Sequence, residues 1–465
     1  MRSRRLTVVA VVALLACPAG RAPAQLAPRP AAPTGPSLRL GALLPLTGPG
    51  AWFGAEIKQG LELAAAELDP APRRGGSAPG GGTSESGAPP ADAAEPKTDT
   101  GSRPPAPAPT GETAPAAASP ETKKAQSRPP PEPIEPTDRP RTLTLVVQAV
   151  DVQPLDVRDA EAEVNRMLGA GVNAILTASP TSTLAVYPLA AGRDVLVLHA
   201  GLATERFPAT SRSLFQLRPS AAARADVLGA HAWERGIRRL GVLGDSDSFG
   251  RAVRVAVAAR WRRQGGHLAH DESVSLDASD LRSRLRAVAR VAPEAVVLGF
   301  QGTALGEAAH ALRDAGYTGQ ILATDDDRAA LLAGGRAVDG ALILADAFVP
   351  LPGTRGARFA RAYEARHGQP PSRFAANAYE TATLLAEAAQ RLLRDGRGVT
   401  GSRLRDVLVT GRRFPSLYAG ELVVRDDGTI ARPLALFRVE REGLTFQTYV
   451  APDGRAIGGA LGSDP

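Results

Sequence analysis

The chain is nearly without cysteine. Cys17 is the only one among 465 residues, so no disulfide can close within the chain and no thiolate cluster can hold a metal. Aromatic side chains make up 4% of the residues, too few for the stacking platforms on which single-stranded nucleic acids lie. The formal net charge of +7 does not restore a nucleic-acid reading. Its arginines are interleaved with acids, as in RRLGVLGDSDSFGRAVRVAVAARWRRQGG, which describes a solvated surface rather than a basic stripe. The six histidines (His199, His231, His267, His270, His310 and His367) show no HExxH or other zinc-ligand spacing. There is no GxSxG elbow and no GxxxxGK[ST] phosphate loop. No catalytic residue, metal or cofactor is therefore expected, and only His199 falls near a loop of interest.

Long apolar runs are also missing, apart from the N-terminus. MRSRRLTVVAVVALLACPAGRAPAQ has a basic start (Arg2, Arg4, Arg5) and an apolar run from Leu6 to Ala16. At about 11 residues that run suits the core of a signal peptide, here residues 1–24, and is short for a membrane span. Leu14-Leu15-Ala16-Cys17 resembles a bacterial lipobox, in which Cys17 becomes the lipidated first residue. Ordinary cleavage after Ala22-Pro23-Ala24 would instead discard it. Either route places the mature chain in the periplasm or cell envelope, with membrane contact only through a lipid anchor.

What is abundant is proline and glycine, concentrated in one stretch. Residues 70–141 contain no aromatic residue and one large aliphatic, Ile134. Such a segment cannot offset an ordering entropy of about 1–2 kcal/mol per residue, so it reads as a disordered, Pro-rich insertion. Around it, short apolar runs alternate with longer amphipathic ones. LTLVVQAVD, VNAILTAS, VLVLHAG, RRLGVLGDS, PEAVVLGF and QILATDD read as buried strands; VRDAEAEVNRMLGAG, FGRAVRVAVAARWRRQGG and TALGEAAHALRDAG read as helices. That alternation predicts an α/β fold of two doubly wound parallel sheets. The strand and helix before the insertion could not bury their apolar faces alone. The insertion therefore interrupts a domain rather than separating two.

The first strand–loop–helix, GALLPLTGPGAWFGAEIKQGLELAAAELD, contains Gly48, Gly50 and Gly54 where a dinucleotide turn would sit. Pro49 and the bulky Trp52-Phe53 pair occupy the place of bare backbone, and the insertion removes any acidic ribose partner at the usual distance. Another ligand class is indicated.

These residues, together with VNRMLGAGVNAILTASPTSTLAVYPLAAGRDVLVLHAGLATERF, FQLRPSAAARADVLGAHAWERGIRRLGVLGDSDSFGRA, PEAVVLGFQGTALGEAAHALRDAGYTGQILATDD, FAANAYETATLLAEAAQRLL and YAGELVVRDDGTIARPLALFRV, resemble the type I periplasmic binding proteins, the group of the branched-chain amino-acid receptors of ABC transporters. The resemblance runs from Leu38 to about Val450, outside the insertion. It implies two lobes joined by three hinge crossings near Leu217–Ala222, Ala347–Leu351 and Phe414–Ala419. The first lobe would comprise residues 38–69, 142–218 and 349–416. The second would comprise 219–348 and a C-terminal hairpin region, 417–452, turning at Asp427-Gly428, with 453–465 as a tail. A small polar ligand, amino acid or amide, would close the lobes and be delivered to an ABC permease.

Helix N-termini and strand ends line such a cleft. By resemblance, Ser182 and Thr183 would bind a ligand carboxylate, although either Thr181 or Ser182 could equally be a plain helix cap. Ala200, Gly201 and Leu202 would follow the next strand, with Leu202 standing where the amino-acid receptors have a threonine. Trp52, Phe53 and Phe249 would form apolar walls or pack against their lobes. Asp325 matches an acidic contact for an amino group, and Gln301 is a weaker candidate. The missing threonine and the long insertion keep a second class open. The same fold occurs in envelope lipoproteins that activate penicillin-binding proteins, where the partner would be a cell-wall synthase.

Overall fold

The structure is a computed structural model that describes residues 36–68, 143–153, 156–201, 207, 212–324, 327, 331, 334–441 and 443–457. The leader with Cys17, the Pro-rich segment, Leu202 and Asp325 lie outside the described residues. The chain divides into two units, one of Ala71–Pro140 and one of Met1–Pro70 with Arg141–Pro465.

In the latter unit the described chain begins with β1 (Ser37–Leu44), α1 (Ala51–Leu68), β2 (Thr144–Asp151), α2 (Val157–Gly169), β3 (Ala174–Thr177), α3 (Pro180–Ala191), β4 (Leu196–His199) and β5 (Leu214–Gln216). The five strands form one parallel sheet in the order β2-β1-β3-β4-β5. Its central strands are apolar up to a polar last residue, Thr177 in β3 and His199 in β4, because helices cover both faces: every residue of both strands is buried. β1 pairs with β2 along its whole length, from Ser37 opposite Thr144 to Leu44 opposite Asp151. The segment between α1 and β2 thus departs from and returns to a single sheet, as expected of an insertion.

The second sheet follows with α4 (Ala221–Glu234), β6 (Leu240–Asp245), α5 (Ser248–Arg263), β7 (His270–Val274), α6 (Leu281–Val291), β8 (Ala295–Gly299), α7 (Thr303–Asp314), β9 (Gln320–Ala323) and β10 (Leu342–Ala345). Three helices come next: α8 (Arg355–His367), α9 (Arg373–Arg394) and α10 (Gly401–Gly411). Six short strands close the described chain: β11 (Arg413–Pro415), β12 (Glu421–Val424), β13 (Ile430–Ala431), β14 (Leu434–Glu440), β15 (Gly443–Val450) and β16 (Ala456–Ile457). The larger sheet has the order β16-β15-β14-β10-β9-β8-β6-β7, parallel from β10 to β7 and antiparallel from β14 outward. The fold is thus α/β with two doubly wound parallel-sheet lobes.

The helices start where short polar side chains can accept a backbone N–H. Asp156, Ser179, Ser220, Asp247, Thr354, Ser372 and Thr400 each cap the helix that follows. The long α9 returns to the first sheet, where Ala378, Ala382 and Leu385 pack with Ile57 and Leu61 of α1 over β1 and β3. The two helix backbones nearly touch: a Cβ on Gly60 would lie 2.3 Å from the Ala375 carbonyl oxygen.

One expectation is corrected. The hairpin turning at Asp427-Gly428 does not complete the second sheet. β12 and β13 form a separate three-stranded sheet with β11, and Leu422, Val424 and Ile430 join the core of the first sheet. It is β14 and β15 that extend the second sheet, with Leu434, Leu436 and Val450 in its core. The third passage between cores therefore lies between Ile430 and Leu434, not at Phe414–Ala419. The hairpin is drawn to the first core because Gln216 of β5 donates its N–H to the Gly428 carbonyl, at 2.8 Å.

Candidate functional site

In a doubly wound sheet the chain leaves two adjacent strands toward opposite sides, and the gap opened beyond their carboxyl ends admits a ligand. The first sheet reverses between β1 and β3, the second between β6 and β8. The loops at these reversal points are residues 45–50 and 178–179, and 246–247 and 300–302.

The loop after β1 is held from β2. Asp151 accepts the Leu46 N–H at 2.7 Å and the Thr47 hydroxyl at 2.5 Å, while Gln153 donates to the Thr47 hydroxyl at 2.8 Å. The Thr47 bond holds the Asp151 carboxyl below its ordinary value. Gly54 permits the loop's return, since a Cβ there would lie 2.0 Å from the Pro45 carbonyl oxygen. Trp52 and Phe53 lie in the first turn of α1 rather than in the loop. Phe53 is half-buried against the first core, whereas Trp52 is 60% exposed. Their rings meet edge-on at 5.6 Å, and both contact Phe374 at the start of α9, at 5.3 and 5.7 Å. The guanidiniums of Arg218 and Arg373 each lie 5.3 Å from the Phe374 ring, within cation–π range.

At the first turn of α3, Ser179 is the cap: its hydroxyl accepts the Ser182 N–H at 3.1 Å and donates to the Ser182 hydroxyl at 2.8 Å. Thr183 faces inward. Its hydroxyl lies 2.6 Å from that of Thr177, 2.7 Å from the Ser179 carbonyl oxygen and 2.8 Å from His199 Nδ1. His199 is itself enclosed, with its ring 4.8 Å from that of Phe207. Thr183 and His199 thus tie β3, α3 and β4 together through these bonds. Ala200 is buried, and Gly201 passes so close to β3 that a Cβ would lie 2.5 Å from the Ala178 carbonyl oxygen.

On the second sheet Asp247 caps α5 by accepting the Gly250 N–H at 2.7 Å. Phe249, in the first turn, is half-buried against the core of that sheet. Gln301 is exposed, next to Gly302 with φ 55°. Thr324 closes β9, with its carbonyl oxygen accepting from Arg224 Nη1 at 2.6 Å.

Sequence reasoning missed the charged cluster at the three passages between the cores. Each passage contributes one buried charged residue: Arg218, Asp346 and Arg432. Arg218 Nε donates to Asp346 Oδ2 at 2.7 Å. Arg432 Nη1 lies 3.2 Å from Glu380 Oε2 and also donates to Asn377 Oδ1. Glu380 Oε1 accepts the Ser416 hydroxyl at 2.8 Å and the Leu417 N–H at 2.7 Å. Tyr418 donates to Asn377 at 2.5 Å, with the Arg432 guanidinium 5.1 Å from its ring. Burial opposes ionisation of Asp346, but Arg218, Arg432 and Arg373 outweigh it and hold the carboxyl below the usual carboxylate range. The only sequence signal was three charges set beside proline or alanine in apolar surroundings: LRPS, ADAF and ARPL.

Among the described residues no group of three or more His, Cys, Asp or Glu is placed to hold a metal, and no helix is long and apolar enough to cross a membrane.

The sequence model of the periplasmic binding protein family matches residues 145–444. No curated protein matches the chain. Among solved structures, a Rhodospirillum rubrum protein named for a branched-chain amino acid ABC transporter is similar, with TM-score 0.62, 17% identity, and coverage of 88% of this chain and 99% of that one. The leucine-, isoleucine-, valine-, threonine- and alanine-binding protein of Brucella ovis, in a closed conformation, gives 0.58 at 14% identity, covering 91% and 97%. A branched-chain amino acid ABC transporter periplasmic ligand-binding protein of Burkholderia xenovorans also gives 0.58 at 14% identity, covering 90% and 96%.

Proposed function

The chain belongs to the periplasmic binding protein family, and on that footing we propose that it is an extracytoplasmic solute-binding protein rather than an enzyme. It captures a small polar organic ligand, an amino acid or an amide-like compound, between the loops at the two reversal points and presents it to an ABC permease. The observation that carries this reading is Trp52, a large aromatic held edge-on at the first reversal point yet 60% exposed. A side chain of that size left in water beside a strand-end gap favours a ligand surface over core packing. In this reading Ser182, Ala200 and Gly201 line the first wall and Phe249 and Gln301 the second. Closure would be driven by contacts available only when both walls meet the ligand.

Calorimetric titration of the folded chain against amino acids, amides and small carboxylates tests the reading. Binding of one class that is lost in Trp52→Ala supports it; no binding across the panel overturns it. Recovery of a cell-wall synthase on the immobilised chain, with no small ligand bound, would favour the regulator class. Export with a lipid on Cys17 belongs to the same proposal: mass spectrometry of the mature N-terminus should find a diacylated Cys17, and a terminus after Ala24 would refute the anchor.

A further inference from the structure

A cavity of about 310 Å³ lies beside the passages between the cores, away from both reversal-point loops. Its apolar walls come from both sides of the hinge: Phe207, in the core of the first sheet, faces Val227 and Leu434, in the core of the second. Among the described residues its charged lining is Arg218, Arg425 and Arg432 with the carboxylate of Asp427, and behind the wall Arg218 pairs with Asp346 and Arg432 with Glu380. The Asp427 carboxylate is already engaged, accepting the Thr429 N–H at 2.9 Å and the Thr429 hydroxyl at 2.7 Å.

Arg432 makes the cavity more than a packing defect. Its side chain is 1% exposed, and its Nη1 serves Glu380 and Asn377, but its Nε–H has no hydrogen-bond partner. A buried cationic donor left unsatisfied is costly, more so than a neutral one. The carboxylate of Asp346 is paired with Arg218 through Oδ2, so the unmet hydrogen-bonding capacity that an anion could fill is that of Arg432 Nε. An anionic head among the three guanidiniums would give Arg432 Nε an acceptor and pair with Arg425 through charge-assisted hydrogen bonds. An apolar body would fill the space between Phe207, Val227 and Leu434. At 310 Å³ the space lies at the small end of ligand cavities, and it suits a short-chain or single-ring carboxylate.

We propose that this cavity is a second ligand site, distinct from the gap between the strand-end loops, and that it takes a small apolar carboxylate. Because its walls belong to both cores, an occupant contacts both sides of the hinge and biases the angle between them.

Hexanoate is the probe and hexanamide its neutral counterpart, titrated calorimetrically into the full chain. Hexanoate should bind with Kd of about 1 mM or tighter, and hexanamide at least about tenfold more weakly. Ala223→Phe, on the first turn of α4 where the side chain only lines the cavity, should abolish hexanoate binding without shifting the melting temperature. Arg425→Ala, at an exposed position, should weaken binding severalfold. Ser182→Ala, in the other gap, should leave it unchanged. Absence of hexanoate binding at about 10 mM, equal binding of hexanamide, retention of binding in Ala223→Phe, or its loss in Ser182→Ala would each overturn the proposal.

Discussion

The hinge and the gap loops are built on opposite principles. The hinge passages carry Arg218, Asp346 and Arg432, all buried, paired across the fold and enclosed by α9 and the Ser416–Tyr418 segment. The loops at the reversal points are held by backbone caps and short hydroxyl bonds, and they leave Trp52 and Gln301 in water. The difference separates two tasks. A hinge must keep its register while two bodies rotate, so its charges should be fixed in one geometry. A gap must exchange water for ligand, so its side chains should cost little when uncovered. Stability should therefore reside in the first region and affinity in the second.

The sharpest way to break this contrast is to remove one partner from a buried pair. Glu380→Ala leaves Arg432 inside the protein without its carboxylate, and removes the acceptor of the Ser416 hydroxyl and Leu417 N–H. Stranding a buried charge costs about 3–5 kcal/mol, and urea unfolding should show a loss of that order. A loss below about 1 kcal/mol, the range of surface pairs, would mean that the hinge charges do not hold the passages.

Acid should act on the same region. Burial disfavours the Asp346 carboxylate, but the three arginines around it lower its pKa on folding. A carboxyl whose folded value is depressed adds stability that is complete above its unfolded value of about 4 and is lost as pH falls through the folded value. Asp346→Asn should therefore be less stable than the native chain at pH 7, and the difference should narrow as pH drops below about 4. A constant difference across that range would assign the effect to lost packing rather than charge.

How far the sequence announced these two regions follows the same line. The strands were legible because parallel strands covered on both faces are nearly continuous apolar runs, as in AIL of β3 and AVVLG of β8. The position of each gap loop followed, since a loop at a strand end is fixed once the strand is. Orientation was not legible. Thr183 stood in the expected turn, yet it points to Thr177 and His199, and only the packing of β4 decides that. The hairpin at Asp427-Gly428 was recognised by its turn, but turn chemistry does not say which sheet a hairpin joins. The hinge charges were least legible, because Arg218 and Asp346 pair across 128 positions and each alone reads as an ordinary surface residue.

Thr183 lies between the two extremes. Thr183→Val keeps the shape and removes the hydroxyl that meets Thr177, Ser179 and His199. Loss of a buried hydrogen-bonding group costs about 1–3 kcal/mol, so thermal denaturation should detect it. Ligand affinity should change little if the side chain only ties β3, α3 and β4 together. A large fall in affinity with unchanged stability would move Thr183 from the scaffold to the ligand wall.

Trp52→Ala should have the smallest effect on folding and the clearest effect on binding. Its ring is mostly in water and meets Phe53 and Phe374 edge-on, so denaturant unfolding should shift by no more than about 0.5 kcal/mol, as for exposed positions generally. If the ring covers the ligand on closure, its removal uncovers apolar surface worth about 1.5–3 kcal/mol when fully buried. That corresponds to a fall in affinity of roughly tenfold or more for the ligand found by titration. The reverse pattern, with stability lost and affinity kept, would make the Trp52–Phe53–Phe374 group part of the first core. The gap would then lose its one large exposed aromatic among the described residues, and the division of labour between hinge and gap would no longer hold.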